Sequence, residues 1–285
     1  VGDASIHLRK GEMFFLKDLV KGALIKSGND AAYAIAEHLA GDEKLFLDLL
    51  NRKAKILGAV DTQFMNPHGL PDELHYSSAY DLAILTSYAL KEPSFAEIVS
   101  SKYDRISSLN TNRVIDLSNT NKLLWKSPEF KGVKTGTTIK AGNCLVSAIE
   151  RNGRTMVAVV LKSYNRFGDS EKLLIWGLEE YTLFEIKKKE YLKVLETPKG
   201  YPHLVTAIPL TAPSISISNQ QILEVETNWI IPLTPPIKKG DVLGELVFYQ
   251  NEQIIRRIPM VAGEDVFPAI KQPSFLKTIY HLLTN

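Results

Sequence analysis

Lys131-Gly132-Val133-Lys134-Thr135-Gly136-Thr137 decides how this chain is read. A short strand brings a lysine and a hydroxyl side by side. It then passes Gly136, where a bulkier side chain would block a ligand lying along the backbone. Alone, Lys-Thr-Gly is a modest signal, and Ser27-Gly28-Asn29 is weaker, because such a triplet usually marks a turn or a helix cap. Context strengthens both. Ser27 falls between helical segments, and Lys134 is followed by Thr137, Gly142 and Asn143.

Downstream of that stretch, Cys144–Glu150 and Thr155–Leu161 carry strand patterns joined by Asn152-Gly153, a strong hairpin turn. Glu171 to Phe184 has helical periodicity and is expected to lie over the resulting antiparallel sheet. Upstream, residues 13–58 read as helical with breaks. Asn29 or Asp30 is expected to cap a helix over Ala31–Leu39, which Gly41 ends. Phe46, Leu49, Leu50, Ala54 and Leu57 mark another amphipathic helix, Asn66 to Pro71 a loop, and Ser78 to Leu90 a further helix. Helices around one antiparallel sheet make residues 1–185 a mixed α and β domain.

Composition shifts after that point. Residues 186–265 are rich in β-branched residues and prolines, with short strands such as Ile222–Thr227 and Leu243–Tyr249, and predict a small all-β domain. In the tail, residues 266–285, Phe275, Leu276, Ile279, Tyr280 and Leu283 can share one helical face, flanked by Lys271 and Lys277. Such an amphipathic helix suits an anionic membrane surface, or docking on its own protein.

The 285 residues suffice for about two domains, and 45% hydrophobic residues can build a core. A net charge of +2, without a basic stripe, offers nothing to a nucleic acid. Cys144 is the single cysteine, so no intrachain disulfide forms, and its neighbours Leu145, Val146 and Ala148 suggest a buried thiol. No apolar run reaches the ~20 residues that span a bilayer. The six histidines form no metal-ligand pattern, and His68 reads as a loop residue supporting the fold. The chain opens Val1-Gly2-Asp3-Ala4, as a mature N-terminus or a fragment would.

Leu24-Ile25-Lys26-Ser27-Gly28-Asn29-Asp30-Ala31, His68-Gly69-Leu70, Gly132-Val133-Lys134-Thr135-Gly136 and Leu173-Leu174-Ile175-Trp176-Gly177, in this order, resemble the low-molecular-mass penicillin-binding proteins, specifically the D-alanyl-D-alanine carboxypeptidases of peptidase S11 type. The resemblance covers nearly the whole chain. It implies a penicillin-binding, serine β-lactamase-like transpeptidase domain, then a β-rich domain and a membrane-anchoring C-terminal helix. The family's Ser-x-x-Lys, which carries the nucleophile, is expected ahead of Ser27 and does not occur there. The first domain therefore reads as incomplete, its N-terminal polypeptide missing, and this stretch alone is expected to be inactive.

The resemblance gives each motif residue a role. Lys134 supplies positive charge and controls proton balance; Ser27 relays a proton to a leaving amine; Asn29 holds the substrate amide. Thr135 and Thr137 offer hydroxyls to the terminal carboxylate of D-Ala-D-Ala, and the Thr137 amide offers an oxyanion-hole donor. Gly136 leaves room for a substrate strand. Arg166 corresponds to an arginine reaching the carboxylate. The implied reaction is removal of terminal D-Ala from the peptidoglycan pentapeptide through an acyl-enzyme, outside the cytoplasmic membrane and with no metal or organic cofactor implied, β-lactam antibiotics acylating the same serine. A D,D-endopeptidase, a β-lactamase and a non-catalytic cell-wall binding paralogue are the alternatives.

Overall fold

The computed structural model describes residues 4–269. Two compact units emerge, one ending at Glu179 and the other starting at Glu180. The first contains helices α1 (Leu16–Ile25), α2 (Asn29–Ala40), α3 (Glu43–Ile56), α4 (Ala79–Ala89), α5 (Pro93–Ser100) and α6 (Arg166–Glu180). Its strands are β1 (Tyr103–Ser107), β2 (Val114–Ser118), β3 (Phe130–Thr138), β4 (Gly142–Arg151) and β5 (Arg154–Val160). β1 and β2 form a hairpin of their own, while β3-β4-β5 is an antiparallel sheet with β4 in the middle.

Strand alternation gives β4 two apolar faces. Leu145 and Ile149 pack with Leu123, Phe130, Leu174 and Leu178, placing α6 against one side. Ala148 and Val146 pack instead with Val133 and with Val99 of α5. Each fully buried Leu or Ile contributes about 1.5–3 kcal/mol. The turn between β4 and β5 holds Asn152 and Gly153 at φ 53° and 73°, the left-handed pair such a hairpin requires.

Gly28, rather than Asn29 or Asp30, occupies the N-cap of α2, so both residues lie in its first turn. The Asp30 carboxylate is drawn away from capping. It accepts from Ser5 Oγ at 2.7 Å, the Ile6 amide at 3.0 Å and the Leu8 amide at 2.8 Å, pinning the N-terminal segment. At its other end α2 stops at Gly41, φ 71°. Ser78 caps α4 by accepting from the Asp81 amide. Asp81 itself is buried, with Thr62 Oγ1 donating to it at 2.6 Å.

The helix expected over Glu171 to Phe184 instead starts at Arg166 and ends at Glu180. Tyr181–Glu185, rich in residues that favour extended backbone, becomes strand β6 because it pairs with β10 (Ser214–Ser218). The second compact unit starts at Glu180 and so contains both β6 and β10. Cys144 is half-buried rather than buried, since it stands opposite Gly136, which has no side chain to cover it.

The second unit is β-rich. Its five-stranded sheet runs in the order β11-β12-β13-β9-β7, from β7 (Lys193–Glu196), β9 (Leu204–Pro209), β11 (Leu223–Trp229), β12 (Val242–Gln250) and β13 (Gln253–Ala262). Val205, Leu246, Phe248, Ile258 and Met260 form its core. The segment expected to begin the tail helix starts differently. Val266 bridges to Ile237, and β14 (Phe267–Pro268) pairs with β8 (Gly200–Tyr201). The rest of the expected amphipathic helix, residues 270–285, lies outside the described residues.

Candidate active site

Ser27 is held by a sharp reversal between two helices. The chain leaves α1, takes φ 64° at Ser27 and enters α2 two residues later. A left-handed serine is strained, and local bonds maintain it. The Gly28 amide donates back to Gly22 O at 3.0 Å, and the Asn29 amide to Ala4 O at 2.9 Å. A side chain on Gly28 would crowd Gly22 O and Ile6, both 3.2 Å from the added carbon. Thus Ser27 is half-buried beside Asn29, which is buried at the start of α2.

The lysine arrives from β3, an edge strand of the sheet. Lys134 Nζ donates to Ser27 Oγ at 2.5 Å and to the Thr135 carbonyl at 2.9 Å. Burial, with the Arg166 guanidinium acting in the same direction, lowers the Lys134 ammonium to about 8. Just before it, Gly132 takes φ 97° at an irregularity in the β3–β4 register, and a Cβ there would stand 2.5 Å from Val99 O. Gly132 is therefore required by packing. Gly136 is not. A Cβ added there meets only Cys144 Cβ, at 4.0 Å, so the protein itself leaves the space in front of it open.

Arg166 opens α6 and reaches back to the strand. Its Nη1 donates to Thr137 Oγ1 at 2.7 Å, Gly136 O at 2.9 Å and Cys144 O at 3.3 Å. These bonds tie β3 and β4 to α6 beside an exposed Thr137. Thr135 is placed differently from the sequence expectation. Its hydroxyl is buried and lies 2.6 Å from Thr120 Oγ1, a residue outside every motif. Ser27, Lys134, Thr135, Gly136, Thr137 and Arg166 thus form one contact chain, and Asn29 lies two positions from Ser27. Among the described residues, no group of three or more His, Cys, Asp or Glu is arranged to hold a metal ion. His68 accepts from the Leu70 amide at 3.3 Å within its loop.

Residues 1–165 match the family of D-alanyl-D-alanine carboxypeptidases, and residues 186–267 match the C-terminal domain of penicillin-binding protein 5. The chain belongs to the D-alanyl-D-alanine carboxypeptidase family. It is 33% identical over 273 residues to D-alanyl-D-alanine carboxypeptidase DacF of Bacillus subtilis, covering 93% of this chain and 70% of that protein. Against DacC of Escherichia coli it is 32% identical over 282 residues, covering 93% and 67%. Among solved structures, penicillin binding protein 5 from Haemophilus influenzae superposes with a TM-score of 0.80 at 27% identity, over 93% of this chain and 78% of that one. Penicillin binding protein 6B from Escherichia coli gives 0.68 at 27% identity, over 92% and 74%. Homology assigns serine-type D-Ala-D-Ala carboxypeptidase activity to the full-length carboxypeptidase. The one Ser-x-x-Lys string in this chain, Ser274-Phe275-Leu276-Lys277, follows the other motifs instead of preceding them and lies outside the described residues.

Proposed function

We propose that the full-length protein releases terminal D-Ala from peptidoglycan pentapeptides, with Ser27, Asn29 and Lys134 in the catalytic group, Gly136, Thr137 and Arg166 contacting the substrate, and the buried Thr135 hydroxyl serving the carboxylate site from behind. The contact between Lys134 Nζ and Ser27 Oγ carries this assignment, because it joins the two motifs through a polarised hydroxyl. The Ser-x-x-Lys serine attacks the penultimate D-Ala carbonyl and its proton passes to the neighbouring lysine. The C–N bond breaks, Ser27 passes a proton to the departing D-Ala amine, and water then hydrolyses the ester. Asn29 holds the substrate amide, and the Thr137 amide donates to the oxyanion. Substrate lies along the outer edge of β3 in front of Gly136. The positive charges of Lys134 and Arg166 face its carboxylate, Arg166 through the guanidinium nitrogens not occupied by the strand. A β-lactam acylates the same serine.

This reading places the protein on the outer face of a bacterial cytoplasmic membrane, peripherally attached through an amphipathic helix within residues 270–285. Among the described residues no helix is long and apolar enough to cross a membrane. The test is D-Ala release by the full-length protein from a peptide ending in D-Ala-D-Ala, with labelled penicillin reporting acylation. Faster cleavage of cross-linked dimers than of pentapeptide would make it an endopeptidase. Co-sedimentation with anionic vesicles, lost when residues 270–285 are removed, tests the anchor.

A further inference from the structure

The carboxylate role that sequence motifs give to Thr135 meets a steric fact. Thr135 is only 9% exposed, and its hydroxyl already lies 2.6 Å from Thr120 Oγ1. Thr120, by contrast, is exposed. The two hydroxyls form a short chain running from the buried side of β3 outward.

We propose that Thr120 is a substrate-carboxylate contact, carrying the hydroxyl function of buried Thr135 out to the ligand. This rests on the carboxypeptidase reading and specifies how it recognises the free terminus. Each threonine hydroxyl has one proton and can accept on its oxygen, whereas an ionised carboxylate only accepts. With Thr135 donating to Thr120, the Thr120 proton is free to point at the anion, and the bond behind it polarises the outer hydroxyl. The adjacent backbone keeps Thr120 in place. Asn119 Nδ2 donates to Val99 O at 3.2 Å and to Ser101 O at 2.9 Å, and Asn119 Oδ1 accepts from the Asn121 amide at 2.9 Å. Asn121 Oδ1 then accepts from the Leu123 amide at 3.1 Å. Thr120 is therefore an exposed hydroxyl on a segment anchored on both sides. Cationic Arg166 reaches Thr137 on the same strand, so the proposed anion lies between a hydroxyl chain and a guanidinium.

The experiment compares Thr120→Val, Thr120→Ser and Thr135→Val in the full-length protein on two peptides, one ending in free D-Ala-D-Ala and one in the corresponding amide. Loss of one hydrogen bond to a charged group is expected to lower kcat/KM about tenfold or more on the free acid. Thr120→Val should show that loss mainly as a raised KM, change little on the amide, and be rescued by Thr120→Ser. Thr135→Val should show a smaller loss of the same selectivity. An equal loss on both peptides, or unchanged kcat/KM on the free acid with Thr120→Val, would overturn the assignment. D-Ala release and penicillin labelling of the unsubstituted protein test the carboxypeptidase reading separately. Melting temperatures of all variants show whether folding contributes.

Discussion

Lys134 Nζ and Ser27 Oγ lie 2.5 Å apart although 107 residues separate them in the chain. The lysine comes from an edge strand and the serine from a left-handed residue between two helices, so neither element alone creates the contact. Its consequence is a hydroxyl that receives a proton from an ammonium already easier to deprotonate than usual.

Replacing Ser27 with Gly separates the hydroxyl from the backbone. Glycine accepts φ 64° without strain but gains freedom when unfolded, so stability is expected to stay within about 1 kcal/mol of the parent. Acylation by labelled penicillin in the full-length protein should fall about a hundredfold, the scale of a lost proton-transfer group. Urea unfolding and the acylation rate check the two halves.

Lys134 controls the alkaline limb of activity. Its ammonium is charged below about 8 and loses the proton above it, so carboxylate attraction is present at lower pH and fades as pH rises through that value. The kcat/KM profile for a free-acid peptide should turn down near there. Arg166→Ala removes a neighbouring cation that helps depress Lys134, and should move the limb to higher pH while lowering its plateau.

Two glycines of β3 should respond in opposite ways to alanine. Gly132→Ala forces a Cβ to 2.5 Å from Val99 O at φ 97°, and is expected to cost about 2 kcal/mol or more. Gly136→Ala meets nothing closer than 4.0 Å and should leave the melting temperature nearly unchanged. It should instead lower peptide and penicillin turnover, because the added methyl occupies the substrate's side of the strand.

Asp30 links acid stability to the N-terminal segment. Burial raises its carboxyl, but bonds from the Leu8 amide, the Ser5 hydroxyl and the Ile6 and Ala31 amides outweigh it, so the net shift is downward. A lowered folded-state value gives stability present above the unfolded value and lost as pH falls through the folded one. Asp30→Asn should cost about 1–3 kcal/mol at neutral pH and flatten the acid limb of an unfolding midpoint series.

The sequence by itself determined the features whose cause is local. Asn152-Gly153 specified a tight hairpin because both residues tolerate positive φ, and Gly41 ended a helix for the same reason. Apolar spacing located most of the helices, and the ordered motifs pointed to carboxypeptidase chemistry. Where a long-range partner intervened, local pattern was insufficient: Tyr181–Glu185 continued a helical rhythm but was taken by Ser214–Ser218, and Asp30 left its cap for Ser5, Ile6 and Leu8. Thr120 carried no signal at all, being an ordinary polar residue until packing set it beside Thr135. Local sequence biases backbone angles and burial periodicity, whereas the meeting of Ser27 with Lys134 depends on how α1, α2 and β3 pack, and only the tertiary structure decides that.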